Sequence, residues 1–178
     1  MRQIDRISAS ADAVFDGRRA SKYSVVGGQS MNIDEVCSRT VVVALPGTSV
    51  QEGARMLREH HVGALVVIDS RDSSLPVGIV TDRDMVVEVL AMGVDPAKFT
   101  VADLMTGDIV AVSSEEGVLE TIRRMQSESV RRVVVVDEDG ALVGIVTFDD
   151  LVPLLAEALT GLADTISGGQ GRERQSRN

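Results

Sequence analysis

Short apolar runs at residues 41–43, 65–68 and 133–136 alternate along the chain with longer segments in which apolar residues recur at helical spacing. Runs rich in Val and bounded by turn residues predict strands buried on both faces. Between them, the segments 50–59 and 118–127 predict helices. The pattern occurs twice. Aligning Val41 with Ile109 also aligns Val50 with Val118, Glu52 with Glu120, Arg55 with Arg123, Val66 with Val134 and Asp69 with Asp137. Further on, Gly78-Ile79-Val80-Thr81 matches Gly144-Ile145-Val146-Thr147, and Asp84 matches Asp150.

Each copy therefore predicts the order β-α-β-β-α, an α/β fold. A first strand (41–44; 109–112) and a helix lead to a strand pair (64–69 with 77–81; 132–137 with 141–147). A closing helix begins near Asp82 and near Phe148, with Thr81 and Thr147 as N-caps. One such unit of about 55 residues is too small to cover its own sheet, so burial requires the two copies to pack together. The expected boundaries are repeats at 32–92 and 101–160, a linker at 93–100 where Gly93 and Pro96 stop a helix, and flexible polar extensions at 1–31 and 161–178.

Composition narrows the class. Of 178 residues 44% are hydrophobic but only 2% aromatic, with no Trp, so the core is aliphatic. A formal net charge of -9 repels polyanions and argues against a nucleic-acid binder. The single Cys37 has no intramolecular disulfide partner. The N-terminal segment carries charge where a secretory signal needs an apolar stretch, and no run approaches the roughly 18 apolar residues of a spanning helix, so the expectation is a cytoplasmic protein without a membrane partner.

The Gly-x-x-Thr-x-x-Asp segments, each after two strands and at the start of a helix, carry a family resemblance. With VADLMTGDIVAVS (101–113), SVRRVVVVDEDGALVGIVTFDDLV (129–152), and HHVGALVVID and GIVTDRDMVVEVL in the first copy, the chain resembles the cystathionine-β-synthase-type (CBS) domain family over about residues 33–157. The resemblance implies two repeats packed sheet to sheet about a pseudo-two-fold axis. It also implies two clefts that bind adenine nucleotides such as AMP, ADP, ATP, S-adenosylmethionine or NAD-type ligands, and assembly into a homodimer. By the family pattern one cleft combines Thr147 and Asp150 with Cys37, Ser38, Val42, Val62, Gly63 and Ala64. The other combines Thr81 and Asp84 with Thr106, Val110, Val130, Arg131 and Arg132. The chain departs from the family habit of a Pro early in the second strand, having Val66 and Val134 there.

The chemistry of these residue types points the same way. A carboxylate accepts hydrogen bonds from both ribose hydroxyls. Thr and Asp three positions apart share one helical face, and a helix N-terminus favours phosphate. The alternative is that each Thr merely caps its helix and each Asp is a first-turn acid, which needs no ligand. Arg131 is the foremost phosphate candidate, with a solvated strand-edge charge as its alternative, and Arg83 is a second candidate. Copy two has Asp149 where copy one has Arg83, so the two clefts are expected to differ.

His60, His61 and Cys37 lack a third and fourth partner at a recognisable metal-ligand spacing, so no metal is expected. The sequence has no Gly-x-Ser-x-Gly elbow and no phosphate-binding Gly-x-x-x-x-Gly-Lys loop, which argues against an enzyme and against a catalytic cofactor. The expected function is a regulatory adenine-nucleotide sensor acting on an unnamed protein partner. The rival is a dimeric interaction module whose clefts are empty or purely structural.

Overall fold

A computed structural model describes residues 13–16 and 31–175, with side chains placed over 31–165. In chain order the elements are β1 (Ala13–Asp16), a 3-10 turn (Ile33–Glu35), β2 (Thr40–Ala44), α1 (Val50–His60), β3 (Ala64–Ile68) and β4 (Pro76–Thr81). Next come α2 (Asp82–Asp84), which runs into a π-helical stretch (Met85–Leu90), then α3 (Val101–Leu104) and β5 (Ala111–Ser113). The chain closes with α4 (Val118–Ser127), β6 (Arg132–Val136), β7 (Leu142–Thr147) and α5 (Phe148–Gln175).

The strands form two sheets, β1-β2-β3-β4 and β5-β6-β7. In each, the first repeat strand runs parallel to the second, and the second antiparallel to the third. The register shifts once in each antiparallel pair, between Val67 and Ile68 and between Val135 and Val136, which are equivalent positions.

Successive strand residues point to opposite faces, and here both faces are buried. Val42, Ala44, Leu65, Val67 and Val80 pack under the helices of repeat one with Val50, Met56 and Met85. Val112, Val133, Val135 and Val146 do the same in repeat two with Val118, Met125 and Leu151. Val41, Val43, Val66 and Ile68 face the other way and meet Val134 and Leu142 in a third cluster. The unbroken Val runs are strands sandwiched between a helical layer and the opposing sheet.

The repeats exchange their leading segments. Ile33, 0% exposed, and Cys37 are buried in the core of repeat two, with Met31 and Val36 beside them. Val101, also 0% exposed, is buried in repeat one with Leu104 and Met105 beside it. Backbone bonds fix both crossings: Ile33 N donates to Glu116 O at 2.8 Å and Val118 N to Met31 O at 3.1 Å, while Val101 N donates to Thr48 O at 2.8 Å and Val50 N to Phe99 O at 2.9 Å.

Three features differ from the sequence expectation. The N-terminal extension contributes a strand, β1, which pairs antiparallel with β2 from Ala13↔Val43 to Asp16↔Thr40. The remaining expectation for 1–12 and 17–30 lies outside the described residues. At the other end, α5 continues through Gln175 instead of ending near 160. A helix anchored by its packed first turns needs no new nucleation. The expectation for 176–178 lies outside the described residues. Finally, β5 spans Ala111–Ser113 rather than 109–112, although Val110 O still accepts from Val134 N at 3.1 Å. Among the described residues, no helix is long and apolar enough to cross a membrane.

Candidate functional site

Thr81 and Thr147 end the last strand of their repeats and open the following helices. Asp84 Oδ2 accepts from Thr81 N and from Thr81 Oγ1, both at 2.8 Å. Thr81 Oγ1 in turn accepts from Asp84 N at 3.3 Å. Asp150 Oδ2 accepts from Thr147 N and Thr147 Oγ1, again at 2.8 Å each. The capping reading therefore holds for Thr81, whose hydroxyl accepts from Asp84 N, while at Thr147 the bonds run from its N and Oγ1 to Asp150; each carboxylate uses one oxygen for these bonds. Oδ1 of Asp84 and of Asp150 takes no part in these bonds.

The opposite repeat supplies a wall beside each box. Ser38 forms an antiparallel bridge with Ile145, two residues before Thr147: Ser38 N donates to Ile145 O at 2.8 Å and Ile145 N to Ser38 O at 3.0 Å. At the equivalent place Thr106 N donates to Ile79 O at 3.1 Å, two residues before Thr81. These approaches explain the glycines of the doubled motif. A Cβ on Gly144 would lie 2.6 Å from Ser38 O and 2.8 Å from Cys37 Sγ, and one on Gly78 would lie 2.6 Å from Met105 Sδ and 3.2 Å from Thr106 O. The sequence reading missed this role, although a glycine inside a strand is itself a signal of close backbone approach.

Cys37 is buried at the Thr147–Asp150 box. Burial pushes its thiol above the usual range, Arg39 opposes the shift, and the carboxylates of Asp34 and Asp150 add to it. The neutral thiol is the form the pocket holds.

Arg132 crosses between the repeats. Its Nη1 donates to Gly63 O at 2.9 Å, and the same carbonyl accepts from Asp82 N at 3.3 Å. Gly63 and Arg132, assigned by sequence to separate clefts, thus meet at one point. Strand register adds a second adjustment: Ala64 is paired with Thr81 and Arg132 with Thr147, each beside the box of its own repeat. Of the two, Arg132 sends its side chain across to the other repeat. Arg131 and Arg83 are exposed, and Arg131 O accepts from Phe148 N at 3.1 Å.

Val42 belongs to the helix-side core of repeat one, which leaves its backbone and not its side chain for any cleft. Val62 packs against the same core, and Val110 and Val130 against the core of repeat two, each partly buried. Ser38 and Thr106 are exposed beside the boxes. Among the described residues, no three His, Cys, Asp or Glu side chains gather closely enough to hold a metal ion.

The family model for the CBS domain matches twice, at residues 33–91 and 101–157. An uncharacterized protein from Methanopyrus kandleri is 33% identical over 124 residues, which is 70% of this chain and 62% of that relative. The matched region thus spans somewhat less than two thirds of that protein. A CBS domain protein from Pyrobaculum aerophilum, solved in complex with AMP, is similar with a TM-score of 0.66 and 25% identity, covering 73% of this chain and 99% of the other. The CBS domain pair of protein MJ0100, solved with 5'-methylthioadenosine and S-adenosyl-L-methionine, gives a TM-score of 0.65 and 26% identity, covering 73% and 99%. With two family matches, the β-α-β-β-α order in both copies and sheets packed face to face, the chain belongs to the CBS domain family as a tandem pair.

Proposed function

We propose that the chain is a non-catalytic regulatory module that binds an adenine nucleotide in the clefts between its repeats. The observation that carries this reading is the pair of Thr–Asp boxes. Each leaves one carboxylate oxygen outside the capping bonds, next to a segment contributed by the other repeat. A carboxylate so placed can accept from ribose hydroxyls without giving up its cap. The AMP and S-adenosyl-L-methionine complexes of similar CBS proteins support the same ligand class.

The two clefts differ in charge. Arg83 lies in the Thr81 box and the Arg132 guanidinium reaches Gly63 O, which also accepts from Asp82 N beside that box, whereas Asp149 holds the place of Arg83 at the Thr147 box. Guanidinium groups suit phosphate oxygens, and Asp149 repels them. The Thr81 cleft is therefore the site for a phosphorylated nucleotide, and the Thr147 cleft favours an adenosyl ligand without phosphate. A ligand bridging both repeats shifts their arrangement by no more than its difference in affinity for the two states. The surface so altered is what a regulated partner reads.

Isothermal titration with AMP, ATP, NAD and S-adenosylmethionine tests this, using the wild type, Asp84→Asn and Asp150→Asn. The amide keeps a capping oxygen but loses the charge that strengthens a ribose bond, so affinity in the corresponding cleft falls about tenfold or more. Flat titrations of ligand-free wild-type protein, or unchanged affinities in both variants, overturn the assignment.

A further inference from the structure

The outer edge of β2 is filled where that of its counterpart is open. β1 lies along β2 from Thr40 to Val43, whereas β5 ends the second sheet with no strand beyond it among the described residues. The backbone of β2 shows which groups β1 takes. Val43 pairs with Val66 as Ala111 pairs with Val134, so the two parallel pairs share one register. Val110 O accepts from Val134 N at 3.1 Å, and the equivalent Val42 likewise turns its backbone groups to β3. Val41 and Val43 therefore turn theirs to the outer edge, because these groups alternate sides along a strand. Their partners there are Phe15 and Ala13.

The same edge borders the Thr147 cleft. Ser38 is bridged to Ile145, and two residues later Thr40 opens β2, paired with Asp16 of β1. β2 also lies against β7, the strand that ends in Thr147. Adenine sets a donor, its N6 amino group, beside acceptor ring nitrogens. An unpaired strand edge offers N–H and C=O groups to match.

We propose that β1 is a strap that closes the Thr147 cleft, and that β1 and an adenine ring exclude each other at the outer edge of β2. The proposal rests on the nucleotide reading above and adds its regulation. At the Thr81 cleft the equivalent edge, on β5, is open, so the two clefts differ in access as well as in charge. β1 is four residues long and separated from β2 by the segment 17–39, so few bonds hold it and it opens at lower cost than the core. The apparent dissociation constant of the cleft is the intrinsic one divided by the open fraction. A strap docked about nine-tenths of the time thus weakens binding about tenfold. Linkage runs both ways: a ligand in the cleft releases β1 to the degree that β1 opposes the ligand. The freed strand is then the output of this cleft.

Two variants of the full chain move the strap in opposite directions. Phe15→Pro removes the N–H that faces Val41 and disfavours docking. Asp16→Cys with Thr40→Cys places two thiols at directly opposed positions of an antiparallel pair, within disulfide reach, so oxidation pins β1 and reduction frees it. Both are titrated with adenosine in the Asp84→Asn background, where the Thr147 cleft dominates the signal. Phe15→Pro is expected to bind adenosine about three- to tenfold more tightly than its parent, and the oxidised pair about tenfold more weakly than the same protein reduced. ATP binding in the Asp150→Asn background, which reports the Thr81 cleft, is expected to change in neither. Equal adenosine affinity in the parent, Phe15→Pro and the oxidised pair overturns the strap and leaves the nucleotide reading standing. Weaker binding in Phe15→Pro makes β1 a wall of the cleft and also overturns the strap. Adenosine binding in none of the forms, Phe15→Pro and the reduced pair included, overturns the nucleotide reading at this cleft and the strap with it.

Discussion

At the scale of single residues, the two motif glycines carry unequal burdens. A methyl group on Gly78 meets first the Sδ of Met105, at the flexible part of a long side chain, whereas one on Gly144 meets the backbone oxygen of Ser38 at 2.6 Å. Met side chains adapt and backbone does not. Gly144→Ala is therefore expected to cost about 2–3 kcal/mol, with Gly78→Ala nearer 1 kcal/mol. Urea denaturation of the two variants checks the order. Because Ser38 is displaced, Gly144→Ala also weakens any ligand held at the Asp150 box. Cys37 gives a second residue-level expectation. Its folded-state pKa is raised by burial, so the unfolded chain ionises first as the pH rises. The associated stability is full below the ordinary thiol range and declines as pH passes above it. Cys37→Ala, compared with wild type in melts over an alkaline series, flattens that decline, and an identical slope in both proteins contradicts it.

At the scale of elements, the exchanged leading segments make each repeat dependent on the other. Ile33 fills the core of repeat two although it precedes the first strand of repeat one, and Val101 fills repeat one although it opens repeat two. Ile33→Ala is expected to remove about 2–5 kcal/mol, and the loss appears in a single cooperative transition of the whole pair, not in an early melting of one repeat. Fragments 31–99 and 93–165 made separately are expected to show little protected amide hydrogen exchange, while their equimolar mixture regains it. Two resolved transitions in the intact chain contradict the interlock. The exchange also marks where the sequence stopped being legible. Strand periodicity, the repeat offset and the Thr caps read directly, because alternation and capping are local. That Cys37, Ser38 and Thr106 lie beside the boxes came only through the family resemblance. The pairing of Ala64 with Thr81 follows from the β3–β4 register, but the reach of Arg132 to Gly63 depends on how two sheets meet, and no local pattern records that. The strand β1 was illegible because Ala13–Asp16 has no alternation of its own and takes its shape from the edge of β2.

At the scale of the whole molecule, the net charge of -9 opposes an approaching nucleotide, and the attraction that overcomes it must be local. Arg131 and Arg132 separate two roles here. Arg132 already donates to Gly63 O across the repeats, so Arg132→Ala removes a structural bond worth about 1 kcal/mol whether or not a nucleotide is present. Arg131 is exposed, and its backbone oxygen accepts from Phe148 N. Arg131→Ala is thus expected to leave the unliganded melting temperature unchanged, to weaken ATP severalfold, and to leave adenosine almost unaffected. Thermal melts show both effects together, since a ligand at 100 times its dissociation constant adds about 2.7 kcal/mol of stability. The same melts at low and high salt add a further discrimination. An ATP shift that depends on Arg131 shrinks as ions screen the exposed guanidinium, whereas the adenosine shift, resting on the Asp84 carboxylate and the cleft walls, holds. If Arg131→Ala lowers the ATP and adenosine shifts equally, the residue supports the fold of the cleft and does not read the phosphate, and the charge difference between the two clefts no longer predicts which ligand each one takes.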